Sequence, residues 1–186
     1  DNKYPWTILV IDDEADILDV YKEFFSGTLR IISASSYTEG ILKFSNQEFD
    51  LVITDIMMEG KDGIDLINEV QRMCTFKRIP KPPIIAMTGL LDVYVEKLQL
   101  IKNCFILEKP FKLDELEALI ISKIENTKKC MLKDGIAMTK FFIWLENELK
   151  VRKVSEYEIG HKLSSYRKKQ PLYKDNSFAS IVGYKG

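Results

Sequence analysis

Five short aliphatic runs, separated by stretches of helical spacing, constrain the fold of this chain more than any other feature. They are Thr7 to Ile11, Leu29 to Ser33, Leu51 to Thr54, Ile84 to Met87 and Cys104 to Leu107. None alternates apolar with polar residues, so each reads as a strand buried on both faces. Between them, Ile17, Leu18, Tyr21, Phe24 and Phe25 follow helical spacing, with Gly27 placed to end that helix. Further helices are predicted over Thr38–Asn46, Ile64–Cys74, Asp92–Ile101 and Leu113 to about Glu125. Five strand–helix alternations predict an α/β fold: a five-stranded parallel sheet with flanking helices.

Ligands of such sheets bind at the carboxyl ends of the strands, near the point where strand order reverses. The residues at those ends are Asp12 and Asp13, Asp55, Thr88 and Lys109. Asp12, Asp13 and Glu14 are adjacent carboxylates that repel one another. Taken alone they read as an acidic helix start, stabilised by the helix dipole. With Asp55 and Lys109 on the same rim, a hard divalent cation is the better account, and Mg²⁺ takes one or two carboxylates while keeping several waters. Asp55, alone at its strand end, is a candidate nucleophile for a phosphoryl group. Lys109 and Thr88 would hold the phosphoryl oxygens by charge and hydrogen bond.

These residues carry a resemblance. "VIDDE" at 10–14, "DIMMEGKDG" at 55–63, "PIIAMTG" at 83–89 and "EKPF" at 108–111 resemble, in order and spacing, the receiver domain of two-component response regulators. The resemblance spans about residues 7 to 126 and implies the (βα)5 flavodoxin-like receiver fold. It implies Asp55 as phosphoacceptor, served by a sensor histidine kinase or a histidine phosphotransfer protein. It implies Mg²⁺ at Asp12, Asp13 and Asp55, with the Met57 backbone carbonyl as a further ligand. Thr88 and Lys109 would bind the phosphoryl group, and the Lys109–Pro110 peptide bond would be cis. Two positions depart from the pattern. Glu59 stands where receivers often have Pro, and Ile106 stands where the switch aromatic usually lies. Phe105, one residue earlier, should face the other side of its strand. The alternative to a phosphorylation switch is therefore a phosphorylation-independent interaction module on the same scaffold.

The rest of the chain has a different character. Residues 1–125 hold 14 Lys+Arg and 22 Asp+Glu, net −8, whereas residues 126–186 hold 13 and 6, net +7. The expected organisation is a receiver over 1–126, residues 127–133 as linker or helix continuation, and a small, mostly helical segment over 134–186. Asp134 would cap a helix from Gly135 to Lys150. Phe141 to Leu145 are five consecutive apolar residues that cannot all face one side. Ser155 and Glu158 form a capping box opening a second helix, with Ile159, Leu163 and Tyr166 as its apolar row. Phe178 to Tyr184 reads as a strand. The run Arg167-Lys168-Lys169 permits nucleic-acid binding, although one such run is usually a solvated helix end.

"KDGIAMTKFFIWLENEL" at 133–149 and the residues that follow it resemble the start of the catalytic domain of Xaa-Pro aminopeptidases, the pita-bread metallopeptidases. The metal-binding residues of that family come later than any residue present, so the resemblance implies no peptidase site. It leaves a partner-binding appendage or the visible end of a longer protein. So small a segment is expected to pack on the receiver or across a homodimer. The sole histidine, His161, reads as a surface residue. Cys74, Cys104 and Cys130 have no metal-type spacing and read as reduced thiols of a cytoplasmic protein. No apolar run approaches the roughly 20 residues of a membrane span.

Overall fold

The computed structural model describes residues 5–60 and 62–169. The chain divides into two units, Asp1–Glu125 and Asn126–Gly186. The first contains strands β1 (Thr7–Ile11), β2 (Arg30–Ala34), β3 (Leu51–Asp55), β4 (Ile84–Thr88) and β5 (Cys104–Glu108). Helices α1 (Ala15–Phe25), α2 (Tyr37–Asn46), α3 (Gly63–Lys77) and α4 (Leu91–Gln99) connect them, and α5 (Leu113–Leu149) begins in this unit. All strand pairs are parallel, in the order β2-β1-β3-β4-β5.

The absence of polar alternation follows from helices on both faces. Ile8, Val10, Leu51, Ile53, Ile85 and Met87 point into one core with Leu18, Tyr21 and Phe25 of α1 and Leu116, Ile120 and Ile124 of α5. Leu9, Ile11, Val52, Ile84 and Ala86 point into the other, against Phe44 of α2, Leu66, Ile67 and Val70 of α3, and Leu98 of α4. Successive strand residues therefore alternate between two apolar layers, not between core and water. The order reverses between β1 and β3, so their carboxyl ends open the crevice where ligands of such sheets sit.

The second unit contains the rest of α5 and α6 (Glu156–Lys168). Residues 127–133 lie within α5, the helix-continuation alternative, and Asp134 is inside that helix and does not cap one of its own. Lys, Met and Leu are good helix formers, and neither Gly nor Pro interrupts "TKKCMLK". One row of α5 faces α6: Asp134 pairs with Arg167 at 2.7 Å, and Lys162 lies over the Trp144 ring. Ala137 and Phe141 on that row are buried. At the turn, Arg152 joins Glu148 and Glu158 at 2.7 and 3.0 Å. The capping box of Ser155 and Glu158 is formed as the sequence predicts. His161 is exposed. The strand expected at 178–184 lies outside the described residues.

Candidate functional site

Asp12 follows β1 directly, and its backbone N–H still pairs across to the Ala34 carbonyl at 3.1 Å. The side chain is therefore fixed by the sheet and wholly buried. Its Oδ1 accepts the Glu14 N–H at 3.0 Å. Its Oδ2 has no hydrogen-bond partner, and the nearest cation, Lys109 Nζ, is 3.6 Å away. Burial raises the Asp12 pKa, against the lowering effects of the Glu14 amide and Lys109, while Asp55 and Glu14 add repulsion. Asp13 is exposed, and its Oδ2 accepts the Glu59 backbone N–H at 2.9 Å. A proline at position 59 could not make that bond.

Asp55 ends β3, nearly buried at 5% exposure. Its Oδ1 accepts the Met57 N–H at 3.3 Å, and its Oδ2 accepts from Lys109 Nζ at 2.9 Å. Burial works against the Lys109 ammonium, yet the bond to Asp55 and the charges of Asp55 and Asp12 raise its pKa overall. Lys109 precedes a cis peptide bond to Pro110, and its own N–H donates to the Thr88 carbonyl at 2.8 Å. Thr88 is buried at the end of β4, and its Oγ1 accepts the Leu90 N–H at 3.0 Å. Met57 is half-exposed in the loop after β3.

The three carboxylates each offer an oxygen, and these oxygens lie within 4.8 Å of one another. All are hard donors, Asp12 contributes a buried Oδ2 with no hydrogen-bond partner to the cluster's carboxylates, and Lys109 supplies the only positive charge among the groups described above. That set suits a small oxygen-preferring divalent cation.

Two contributors were not singled out by sequence reasoning. Gly63 opens α3 with its N–H on the Ile56 carbonyl at 2.9 Å, and a Cβ there would collide with the Asp55 carbonyl oxygen. The motif shows the glycine but not that close approach. Tyr21 is buried beneath the site, and its hydroxyl donates to the Met87 sulfur at 3.4 Å. Burial raises its pKa, and Asp12 and Asp55 raise it further. In the sequence it is simply one member of an apolar helical row. Tyr21 also borders an apolar groove of about 400 Å³ beside Lys109, with Ile17, Val20, Pro110, Phe111 and Leu113. Phe105 and Ile106 face opposite layers: Phe105 joins the α1/α5 core with Lys123 3.8 Å from its ring centre, and Ile106 joins the other.

The family model for the response regulator receiver domain matches residues 8–121. Response regulator SaeR of Staphylococcus aureus is 25% identical, covering 95% of this chain and 79% of its own. A receiver domain protein from Clostridium thermocellum superposes with a TM-score of 0.56 at 29% identity, covering 66% of this chain and 97% of that one. Response regulator TrrA of Thermotoga maritima, solved with Mg²⁺-BeF, gives 0.54 at 28% identity, covering 63% and 98%. A probable Xaa-Pro aminopeptidase P of Paracoccidioides brasiliensis is 40% identical over 62 residues, 32% of this chain. The chain spans 10% of the length of that aminopeptidase. No helix among the described residues is long and apolar enough to cross a membrane.

Proposed function

The chain belongs to the response regulator receiver domain family, and from that premise we propose that it is a phosphorylation-controlled switch of a two-component phosphorelay, accepting its phosphoryl group on Asp55. The observation that carries this reading is the Asp55 carboxylate, set at a strand end between Lys109 and two further carboxylates. An Asp55 oxygen attacks the phosphorus of a phosphohistidine; the O–P bond forms as the P–N bond breaks, and the released imidazole takes up a proton. Mg²⁺, held by Asp12, Asp13, Asp55 and the Met57 carbonyl, would neutralise the carboxylates and the phosphoryl oxygens. Lys109 moves its charge from the carboxylate to the transferred group. Thr88 would move its hydroxyl toward the same group and donate to it, and displacement of Oγ1 would loosen the bond it accepts from the Leu90 amide at the start of α4. The apolar groove beside Lys109 fits a helix of the histidine kinase or phosphotransfer protein, which would present its phosphohistidine over Asp55. These steps would take place in the cytoplasm.

Incubation with acetyl phosphate and Mg²⁺ should add one phosphoryl group by intact mass, and Asp55→Ala should abolish it. No adduct, or an adduct that survives Asp55→Ala, would refute the reading. A second reading, a scaffold that binds partners regardless of phosphorylation, is favoured by Ile106, which carries no aromatic ring to follow Thr88. It requires the same partner affinity with and without the phosphodonor. Nucleic-acid binding is weakened by the engagement of Arg167 with Asp134, and a mobility shift lost at moderate salt would be needed to revive it. The aminopeptidase-like segment performs no peptide hydrolysis in this proposal, and turnover of an Xaa-Pro peptide would contradict it.

A further inference from the structure

Asp55 and the apolar groove share one neighbour. Lys109 donates to Asp55 Oδ2 at 2.9 Å, and it also lines the groove of about 400 Å³. Ile17, Val20, Tyr21, Pro110, Phe111 and Leu113 form the apolar walls. The Tyr21 hydroxyl offers no proton to the groove, because it is turned into the core onto the Met87 sulfur at 3.4 Å. Asp16, the acid among the lining residues, is exposed to water. A space of this volume and lining suits a small ligand with an apolar body and one anionic end. Lys109 would meet the anionic end, and the same ammonium already sits on the carboxylate that reacts.

Resting on the reading that Asp55 accepts the phosphoryl group, we propose that the groove binds the acyl chain of acyl phosphates, so that this receiver prefers longer-chain acyl phosphates to acetyl phosphate as small donors. The chemistry of the step selects the occupant. An Asp55 oxygen attacks phosphorus, and the new O–P bond forms as the P–O bond to the acyl carboxylate breaks. The bonding pair departs with the carboxylate, so no proton is needed. Negative charge thus develops on a leaving group whose chain can lie on the apolar walls while Lys109 faces its charged end. A partner helix carrying phosphohistidine would present its own leaving group on the same side, so the two kinds of donor exclude each other. A fully buried methylene is worth about fourfold in binding, and a groove open to water should realise roughly twofold for each. The two extra methylenes of a butyryl chain should therefore give about fourfold over acetyl. Binding of this kind raises the second-order rate constant.

Phosphorylation of the full 186-residue chain, followed by intact mass with Mg²⁺ and acetyl, propionyl or butyryl phosphate, tests it. Each rate is taken relative to that with phosphoramidate, whose leaving group is ammonia and has no chain to place. Added methylenes leave the basicity of the departing carboxylate nearly unchanged, so the ratio between acyl phosphates reports the groove. The rate constant should rise about twofold per methylene from acetyl to butyryl. Val20 is 50% exposed, so Val20→Asp should fold normally by circular dichroism, and by placing a charge on the apolar wall it should bring the butyryl-to-acetyl ratio close to one. Equal rates for the three acyl phosphates, or a chain-length gain that survives Val20→Asp, overturn the proposal while leaving Asp55 as phosphoacceptor. No adduct from any donor, phosphoramidate included, refutes the phosphoacceptor reading and this one with it.

Discussion

Asp12→Asn should stabilise the metal-free protein while cancelling its response to Mg²⁺. Asp12 is fully buried, and its Oδ2 accepts no hydrogen bond. A buried polar group left unsatisfied costs about 1–3 kcal/mol. Lys109 offsets part of that from 3.6 Å, but it already bonds Asp55 at 2.9 Å. Asparagine keeps an oxygen for the Glu14 amide and removes one negative charge from a cluster of three carboxylates and one ammonium. The net gain should be about 1–2 kcal/mol, a rise in Tm of roughly 3–8 °C for a domain of this size. The sign follows from linkage. The Asp12 pKa is raised in the folded state, chiefly by burial, so the ionised form penalises folding at neutral pH. The penalty fades as pH falls below that raised value, and the gap between the two proteins should close with it. Wild type at a tenfold excess of Mg²⁺ over its dissociation constant gains about 1.4 kcal/mol, whereas the variant should gain little, so the two curves converge. Scanning calorimetry in EDTA and in Mg²⁺ measures all four values. A variant no more stable than wild type in EDTA would show that the carboxylate is not strained, and a wild-type Tm indifferent to Mg²⁺ would remove the cation from the account.

Gly63→Ala should destabilise the first unit by about 2–4 kcal/mol in urea unfolding, because the new Cβ meets backbone at Asp55 and Ile56 and no flexible side chain can yield. Glu59→Pro deletes the amide that holds Asp13 and should weaken Mn²⁺ binding several-fold by electron paramagnetic resonance. Glu59→Ala keeps the amide and should bind within twofold of wild type; equal loss in both would place the effect in the Glu59 carboxylate. The Lys43 ammonium and the Ser35 amide hold the Glu39 carboxyl down to about 2. Its stabilisation is therefore complete above the ordinary carboxylate range and is lost as pH falls toward 2. Glu39→Gln should cost only about 0.5 kcal/mol at pH 7, since the pair is solvent-screened, and nothing near pH 2; a cost independent of pH would assign the effect to packing.

What the sequence revealed of the fold and the site depends on which interactions are local. Strands buried on both faces leave unbroken apolar runs, so β1, β3 and β4 are legible, and with them the rim residues Asp12, Asp55 and Thr88 that immediately follow or end each run. The parity of a strand is equally local, which is why the sequence alone puts Phe105 and Ile106 on opposite faces. Contacts made across the fold leave no such trace. The Glu59 amide on Asp13 joins residues 46 positions apart, and the Tyr21 hydroxyl on Met87 joins residues 66 apart. Asp134 illustrates the difference most clearly. Before a glycine it reads as a helix cap, a local role, yet its partner is Arg167, 33 residues on. Only when α6 folds back does Asp134 gain that partner, whereas "TKKCMLK" continues the helix because it lacks any breaker of its own. The same fold-back assigns one row of α5 to α6 and leaves the two rows through Gly135 and Ile136 uncovered. Their exposure is thus a property of the tertiary arrangement, invisible in a sequence where Phe141, buried, and Phe142, exposed, stand side by side.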